Sequence, residues 1–307
     1  MTETTRTIFE KYEIRKTAKQ KKLFREFAVE KANELGYSAK VEESVTAKNI
    51  IVGNPETAKV VFTAHYDTCP ALPFPNFITP KNVGIYILYN IALCLGIFVL
   101  AFAIGFGVGS LGYALEIPET ISPLITELLF ILVLVLMIVG PANKHTANDN
   151  TSGVTTLFDI MAAMPEELRG KAAFIFFDNE ESGILGSSAY ASKHKNVKNN
   201  VPVINFDCVS DGSNFIFTFG KKANRDLIPL VEEAYKSESF SVEALTRNFI
   251  YPSDQINFHN GVGVASLKKS KRGILYMNRI HTKRDTVYTE ENIEFLVNGS
   301  VKLTQAI

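Results

Sequence analysis

The run Phe174-Ile-Phe-Phe-Asp-Asn-Glu-Glu181-Ser-Gly-Ile-Leu-Gly186 reads as a buried strand of four apolar residues that ends in two adjacent carboxylates before a glycine-rich turn. Neighbouring carboxylates repel, and holding them together is costly unless a cation or a shared proton relieves them. A Glu-Glu pair at a strand end therefore suggests a metal site, with one Glu binding metal and the other handling protons. Alone, such a pair is more often solvated surface. Its company argues otherwise. Val60-Val-Phe-Thr-Ala-His65-Tyr-Asp67 is another strand-like run ending in His-x-Asp, and Asn148-Asp149-Asn-Thr-Ser-Gly153 opens an apolar, helix-like run. Val203-Ile-Asn-Phe-Asp207 and Ile280-His281 repeat the pattern. Four strand-like runs thus end in a ligand-type residue, and ligands collect at the carboxyl ends of strands in open α/β sheets.

The chain has 307 residues, with 32 basic and 32 acidic side chains, enough length for a full core and no bulk attraction to nucleic acid. Nucleic acid is therefore not an expected partner. Its three cysteines, Cys69, Cys94 and Cys208, are widely spaced and include no C-x-x-C, so neither a disulfide framework nor a thiolate zinc site is indicated. Cys69 and Cys208 lie close to candidate ligand residues, and each of these two is expected to act as a small buried hydrophobe.

Residues 1 to about 36 are polar and helix-favouring, without the apolar core of a signal peptide. Eight Lys and Arg between Arg6 and Arg25 predict a solvated basic face that could meet anionic lipid, and Gly36 is placed to end a helix. Composition changes sharply from Val83 to Val108, where 26 residues carry no charge, more than the roughly 20 needed to cross a bilayer core. A second apolar run, Ile121 to Ala142, is interrupted only by Glu127. The two predict a transmembrane hairpin. Its connecting loop holds Glu116 and Glu119 but no Lys or Arg, whereas Lys81 and Lys144 flank the outer ends, which predicts both termini in the cytoplasm.

After the hairpin, strand-like and helix-like runs alternate. The expected fold class is α/β, a three-layer α/β/α sandwich with a mostly parallel mixed sheet. Residues 1–79 and 143–307 form one discontinuous catalytic domain in this reading, and 80–142 are the inserted hairpin. Nine positions separate Gly140 from Asp149, at most about 30 Å of extended chain, so the candidate site should lie near the inner membrane surface.

The ordered set His65-Tyr-Asp67, Asp149-Asn-Thr-Ser-Gly153, Glu180-Glu181, Asp207, Ser253-Asp254 and His281 resembles the two-zinc aminopeptidases of peptidase clan MH. That clan also holds glutamate carboxypeptidases and glutaminyl cyclases. The resemblance covers about residues 20 to 79 and 143 to 305, and departs from the soluble relatives in the hairpin. It implies two zinc ions bridged by Asp149, one completed by His65 and Asp207, the other by Glu181 and His281. It implies Glu180 as general base and fits Asp67 to a hydrogen bond from the second ring nitrogen of His65. It suggests Tyr251 as donor to the oxyanion and Asp254 as a substrate-binding residue that orients site groups. His145, His194 and His259 are expected to be structural or surface residues. The function implied is a membrane metallo-aminopeptidase acting on peptides, with membrane lipid, a membrane-protein partner or a second copy of the chain as further partners. Cyclase-like and carboxypeptidase-like reactions at the same site, or a non-catalytic membrane scaffold, are the alternatives. H-E-x-x-H, G-x-S-x-G and the P-loop pattern do not occur.

Overall fold

A computed structural model describes residues 1–114 and 121–307; Glu116 and Glu119 of the expected hairpin loop lie outside the described residues. In chain order the elements are α1 (Glu3–Lys11), α2 (Ala18–Glu34), β1 (Ala39–Glu43), β2 (Lys48–Val52), β3 (Val60–His65), α3 (Val83–Ala114) and α4 (Ile121–Val139). There follow α5 (Ser152–Ala163), β4 (Ala172–Phe177), α6 (Leu185–Lys193), α7 (Lys195–Asn200), β5 (Val203–Phe206) and β6 (Asn214–Phe219). The chain ends with α8 (Leu227–Ala234), β7 (Ser241–Leu245), β8 (Gly261–Lys269), β9 (Leu275–Tyr276) and α9 (Glu290–Ala306).

The strands form one mixed sheet in the order β1-β2-β4-β3-β5-β8-β6-β7, with β9 beside β8. Its centre, β4-β3-β5-β8, is parallel throughout. Alternation along each strand splits the core in two. Val60, Phe62, Phe174, Phe176 and Phe206 face one layer of helices, built from α1, α2, α5, α8 and α9. Val61, Ala173, Ile175, Phe177 and Val203 face the other, built from α6 and α7. Helices on both faces of a parallel core make the three-layer sandwich that the alternating pattern predicts.

Gly36 works as expected: at φ +87° it ends α2 in the left-handed region that favours glycine. Thr17 and Gln20 form a reciprocal capping box at the start of the same helix. Two readings fail. Ile280-His281 is not a strand end: His281 lies in a turn after β9, with φ +60°. The solvated basic face fails at Arg15, which is fully buried. Arg15 donates to the Tyr66 carbonyl and the Thr151 hydroxyl, while Lys21 pairs with Asp178 at 2.7 Å and Arg25 donates to the Tyr66 hydroxyl.

The apolar insertion forms two long helices that pack on one another, with the Phe98 and Phe130 rings 5.9 Å apart. Among the described residues, one helix is long and apolar enough to cross a membrane, over Val83–Leu111. The apolar run of α4, Pro123–Val139, is shorter. The core helix of a soluble protein would be mostly buried, yet only 11% of the most apolar window of α3 is covered. At its base the insertion is stitched to the sandwich: Ala71 donates to the Pro141 carbonyl, and Lys16 Nζ to that of Ile138.

Candidate metal centre

Three adjacent parallel strands deliver their ends to one place. β3 ends in His65, β4 runs on to Glu180 and Glu181, and β5 runs on to Asp207. The irregular turn Ala147–Thr151, which contains a cis Asp149–Asn150 peptide, adds Asp149, and the turn after β9 adds His281. The two oxygens of Asp149 face different histidines. Oδ1 is 3.4 Å from His65 Nε2, and Oδ2 is 2.9 Å from His281 Nε2. Asp207 Oδ1 lies 3.5 Å from His65 Nε2, and Glu181 Oε2 lies 3.3 Å from His281 Nε2. Two groups of donor atoms result, His65, Asp149 and Asp207 in one, Cys69, Asp149, Glu181 and His281 in the other. Asp149 belongs to both.

The electrostatics are those of crowded carboxylates around two imidazoles. Burial alone would lower both histidines, but Asp149 and Asp207 raise His65 well above its ordinary range, and Glu181 and Asp149 raise His281 to about 9. Burial pushes Glu181 up to about 8 and Glu180 well above the usual carboxylate range. Asp149 stays below that range despite its burial, held there by His281 and His65. Glu181 Oε1 is buried without a hydrogen-bond partner among the described residues. A buried, unsatisfied carboxylate oxygen among imidazole and carboxylate donors fits a divalent cation, and nitrogen and oxygen donors of this kind suit zinc.

The surroundings fix these groups. His65 Nδ1 lies 3.1 Å from the main-chain carbonyl of Asp67. A carbonyl only accepts, so Nδ1 carries a proton, which leaves Nε2 as the nitrogen that faces Asp149 and Asp207 and would give its lone pair to a metal. The Asp67 carboxylate, 3.6 Å from Nδ1, is not the ring's hydrogen-bond partner as expected. Its oxygens instead accept the main-chain N–H groups of Glu180, at 3.0 Å, and Glu181, at 3.2 Å. Asp67 therefore sets the position of the Glu-Glu pair. Asp67→Asn puts an amide NH₂ against one of those N–H groups, and turnover or zinc affinity is expected to fall about 10–100-fold. Steady-state kinetics and zinc titration, with circular dichroism to verify the fold, check this.

Sequence reasoning missed Asp285. Its carboxylate accepts the main-chain N–H groups of Asn148 and Asp149, and burial with neighbouring Asp149 pushes it up to about 8. Its place four residues after His281 was the only signal. Asn150 ties the same turn to the end of β5, donating to the Phe206 carbonyl and accepting from Gly153 and Cys208 N–H. Gly153 is required here, because a Cβ would stand 2.3 Å from the Phe206 carbonyl oxygen and 2.5 Å from Asn150 Oδ1. Gly153→Ala is expected to cost about 1–3 kcal/mol, as overpacked sites do, read as a lower urea midpoint at unchanged slope.

Tyr251 reaches the site, but its hydroxyl donates to the Asp207 carbonyl at 2.9 Å. Its single proton is committed there, so the expected oxyanion contact would require that bond to break. Asp254 is fully buried, and burial pushes it up to about 7. It does not line the metal cavity and instead raises Glu180 through its charge. Direct contact with substrate gives way to a place behind the general-base candidate. His194, stacked on Tyr190, bridges Glu42 and Glu56 as a structural residue. His145 and His259 belong to neither donor group.

The cavity over the donors has a volume of about 200 Å³. Ile78, Tyr86, Ile250, Tyr251 and Ile280 wall it together with the acids and histidines. Tyr86 comes from the first turn of α3, so the apolar insertion contributes to the site.

A parallel-centred α/β sandwich with linked imidazole and carboxylate groups at its strand ends has the equipment of a metal-dependent hydrolase. Residues 135–300 match the model of peptidase family M28, and the chain belongs to that family. Among solved structures it is similar to a glutaminyl cyclase of Porphyromonas gingivalis, with a TM-score of 0.63, 14% identity and coverage of 99% of this chain and 95% of that one. A Zn-dependent exopeptidase of Parabacteroides distasonis matches at a TM-score of 0.61, 15% identity and coverage of 98% and 96%. The LapA aminopeptidase of Legionella pneumophila matches at a TM-score of 0.58, 12% identity and coverage of 98% and 69%. At these identities the likeness is one of fold. No curated protein matches the chain by sequence.

Proposed function

We propose that this M28 peptidase is a two-zinc aminopeptidase held at a membrane by its apolar insertion. The observation that carries the reading is the divided carboxylate of Asp149, one oxygen facing His65 and the other His281. Asp149, His65 and Asp207 would hold one zinc, and Asp149, Glu181 and His281 the second. Bound zinc supplies a lowered pKa to water and polarises the scissile carbonyl. Glu180 lies next to a donor and outside both donor groups. Its carboxylate takes the proton of the attacking water and returns it to the leaving amine. Asp67, through the two N–H groups it accepts, fixes the backbone that carries Glu180 and Glu181. A cavity of about 200 Å³ is below the 300–1,000 Å³ of sites for larger ligands. It suits one terminal residue better than a long internal segment.

The membrane reading rests on the uncovered apolar surface of α3 and on Tyr86, which links that helix to the cavity. In this reading α4 is a second, shorter span, and the flanking Lys81 and Lys144 favour both termini and the catalytic domain on the cytoplasmic side. If membrane placement delivers the substrate, a chain lacking residues 83–140 loses processing of its natural peptide in cells. Equal processing would remove that role.

Unblocked, N-acetylated and N-terminal Gln peptides, read by mass, test the chemistry. Loss of the first residue from unblocked peptides alone supports the aminopeptidase. Loss of ammonia from the Gln peptide would move the assignment to cyclisation, C-terminal release to a carboxypeptidase, and no turnover of any peptide to a scaffold.

A further inference from the structure

We propose that Cys69 is a further metal-binding residue, its sulfur completing the donor set of Asp149, Glu181 and His281 and distinguishing that position chemically from the one at His65. This deepens the two-zinc reading and rests on it. Donors 2.0–2.3 Å from a zinc ion lie at most about 4.6 Å apart. The Sγ of Cys69 and the ligand atoms of the other three residues all lie within 4.8 Å of one another, close to that limit, so a small inward shift of the donors would close the set around one ion. The same group contains the unpartnered Glu181 Oε1, on a side chain only 9% exposed.

The thiol is also held in place. Cys69 is fully buried. Its carbonyl accepts the Asn143 N–H, and three residues later Leu72 N–H donates to the His281 carbonyl. The Asn143 side-chain amide lies 4.0 Å from Sγ and donates to the Thr282 carbonyl. The cysteine loop and the His281 turn are thus fastened to each other on both sides of the donor group. Were Cys69 to bind, its thiol proton would leave to solvent and its sulfur would serve as the fourth protein donor, with no other bond changed.

The consequence is a division of labour. A zinc position with four protein donors is closed and tightly held, whereas one with three keeps a place for water or substrate. The position with Cys69 would be the tight one and prefer soft metals. The position of His65, Asp149 and Asp207 would be the open one.

Cobalt(II) substitution of the full-length, metal-stripped protein tests this. Visible ligand-field bands and equilibrium dialysis report whether metal binds at all, while a near-ultraviolet thiolate-to-cobalt band reports sulfur ligation. The band is expected in the wild type, lost in Cys69→Ser and kept in Cys208→Ser. Cys69→Ser should also weaken the tighter site at least about tenfold, the smallest loss usual when even an outer partner is removed. Bound cobalt without the thiolate band, or a band that survives Cys69→Ser or follows Cys208, overturns the assignment and leaves the two-metal reading standing. Failure to bind cobalt overturns that reading itself. Cadmium-113 NMR of the wild type provides a check that needs no variant, because a sulfur donor moves the resonance far downfield of a nitrogen and oxygen site.

Discussion

Glu180→Gln is expected to lower kcat by about 10²–10⁴-fold, the usual contribution of a positioned proton-transfer group, while zinc content and fold stay unchanged. Gln keeps the shape of Glu but cannot take a proton. The backbone at this position is held by the bond from Glu180 N–H to Asp67 Oδ1, at 3.0 Å, which the substitution leaves intact. Glu180 belongs to neither donor group, so metal binding should not follow the side chain. The measurement is kcat and KM on an unblocked peptide, with zinc counted on the same samples. A kcat equal to that of the wild type would remove Glu180 from the proton path, and a loss that tracks zinc content would make it a ligand instead.

Asp149→Ala should do more, because it removes the one carboxylate common to both groups. Both metal positions are expected to weaken by more than about 100-fold, beyond the loss typical of an outer partner, and turnover should vanish. It also leaves His65 and His281 facing a void where Oδ1 and Oδ2 stood at 3.4 Å and 2.9 Å. His65→Ala, which touches one group only, is expected to empty one position and spare the other. Zinc per chain after dialysis separates these outcomes. If Asp149→Ala retains one tightly bound ion, Asp149 is not the bridge.

The centre of the fold was legible because β3, β4 and β5 are buried on both faces, so each appears as a short apolar run with its chemistry at the carboxyl end. β8 escaped notice although it is central. It begins Gly261-Val-Gly263, where a Cβ would stand 2.1 Å from the Gln255 carbonyl and 2.5 Å from the Gln255 side-chain amide. Close approach selected glycine and erased the pattern. Among site residues, the histidines and carboxylates were readable from type and order, but orientation was not. Asp67 was legible as an assistant to the site, yet its partners, the N–H groups of Glu180 and Glu181, come from another strand end. Arg15 looked like one cation of a solvated helix; only the folded chain shows it sealed behind Tyr66 and Thr151. Cys69 looked like a small hydrophobe because its companions arrive from positions 149, 181 and 281.

The most direct test of the account is zinc titration of metal-stripped, detergent-purified protein while release of the N-terminal residue from an unblocked peptide is followed. The account predicts no activity without metal, recovery that is complete at two zinc ions per chain, and no recovery in Glu180→Gln at the same zinc content. Full activity in the stripped protein, or complete recovery at one ion per chain, would contradict it.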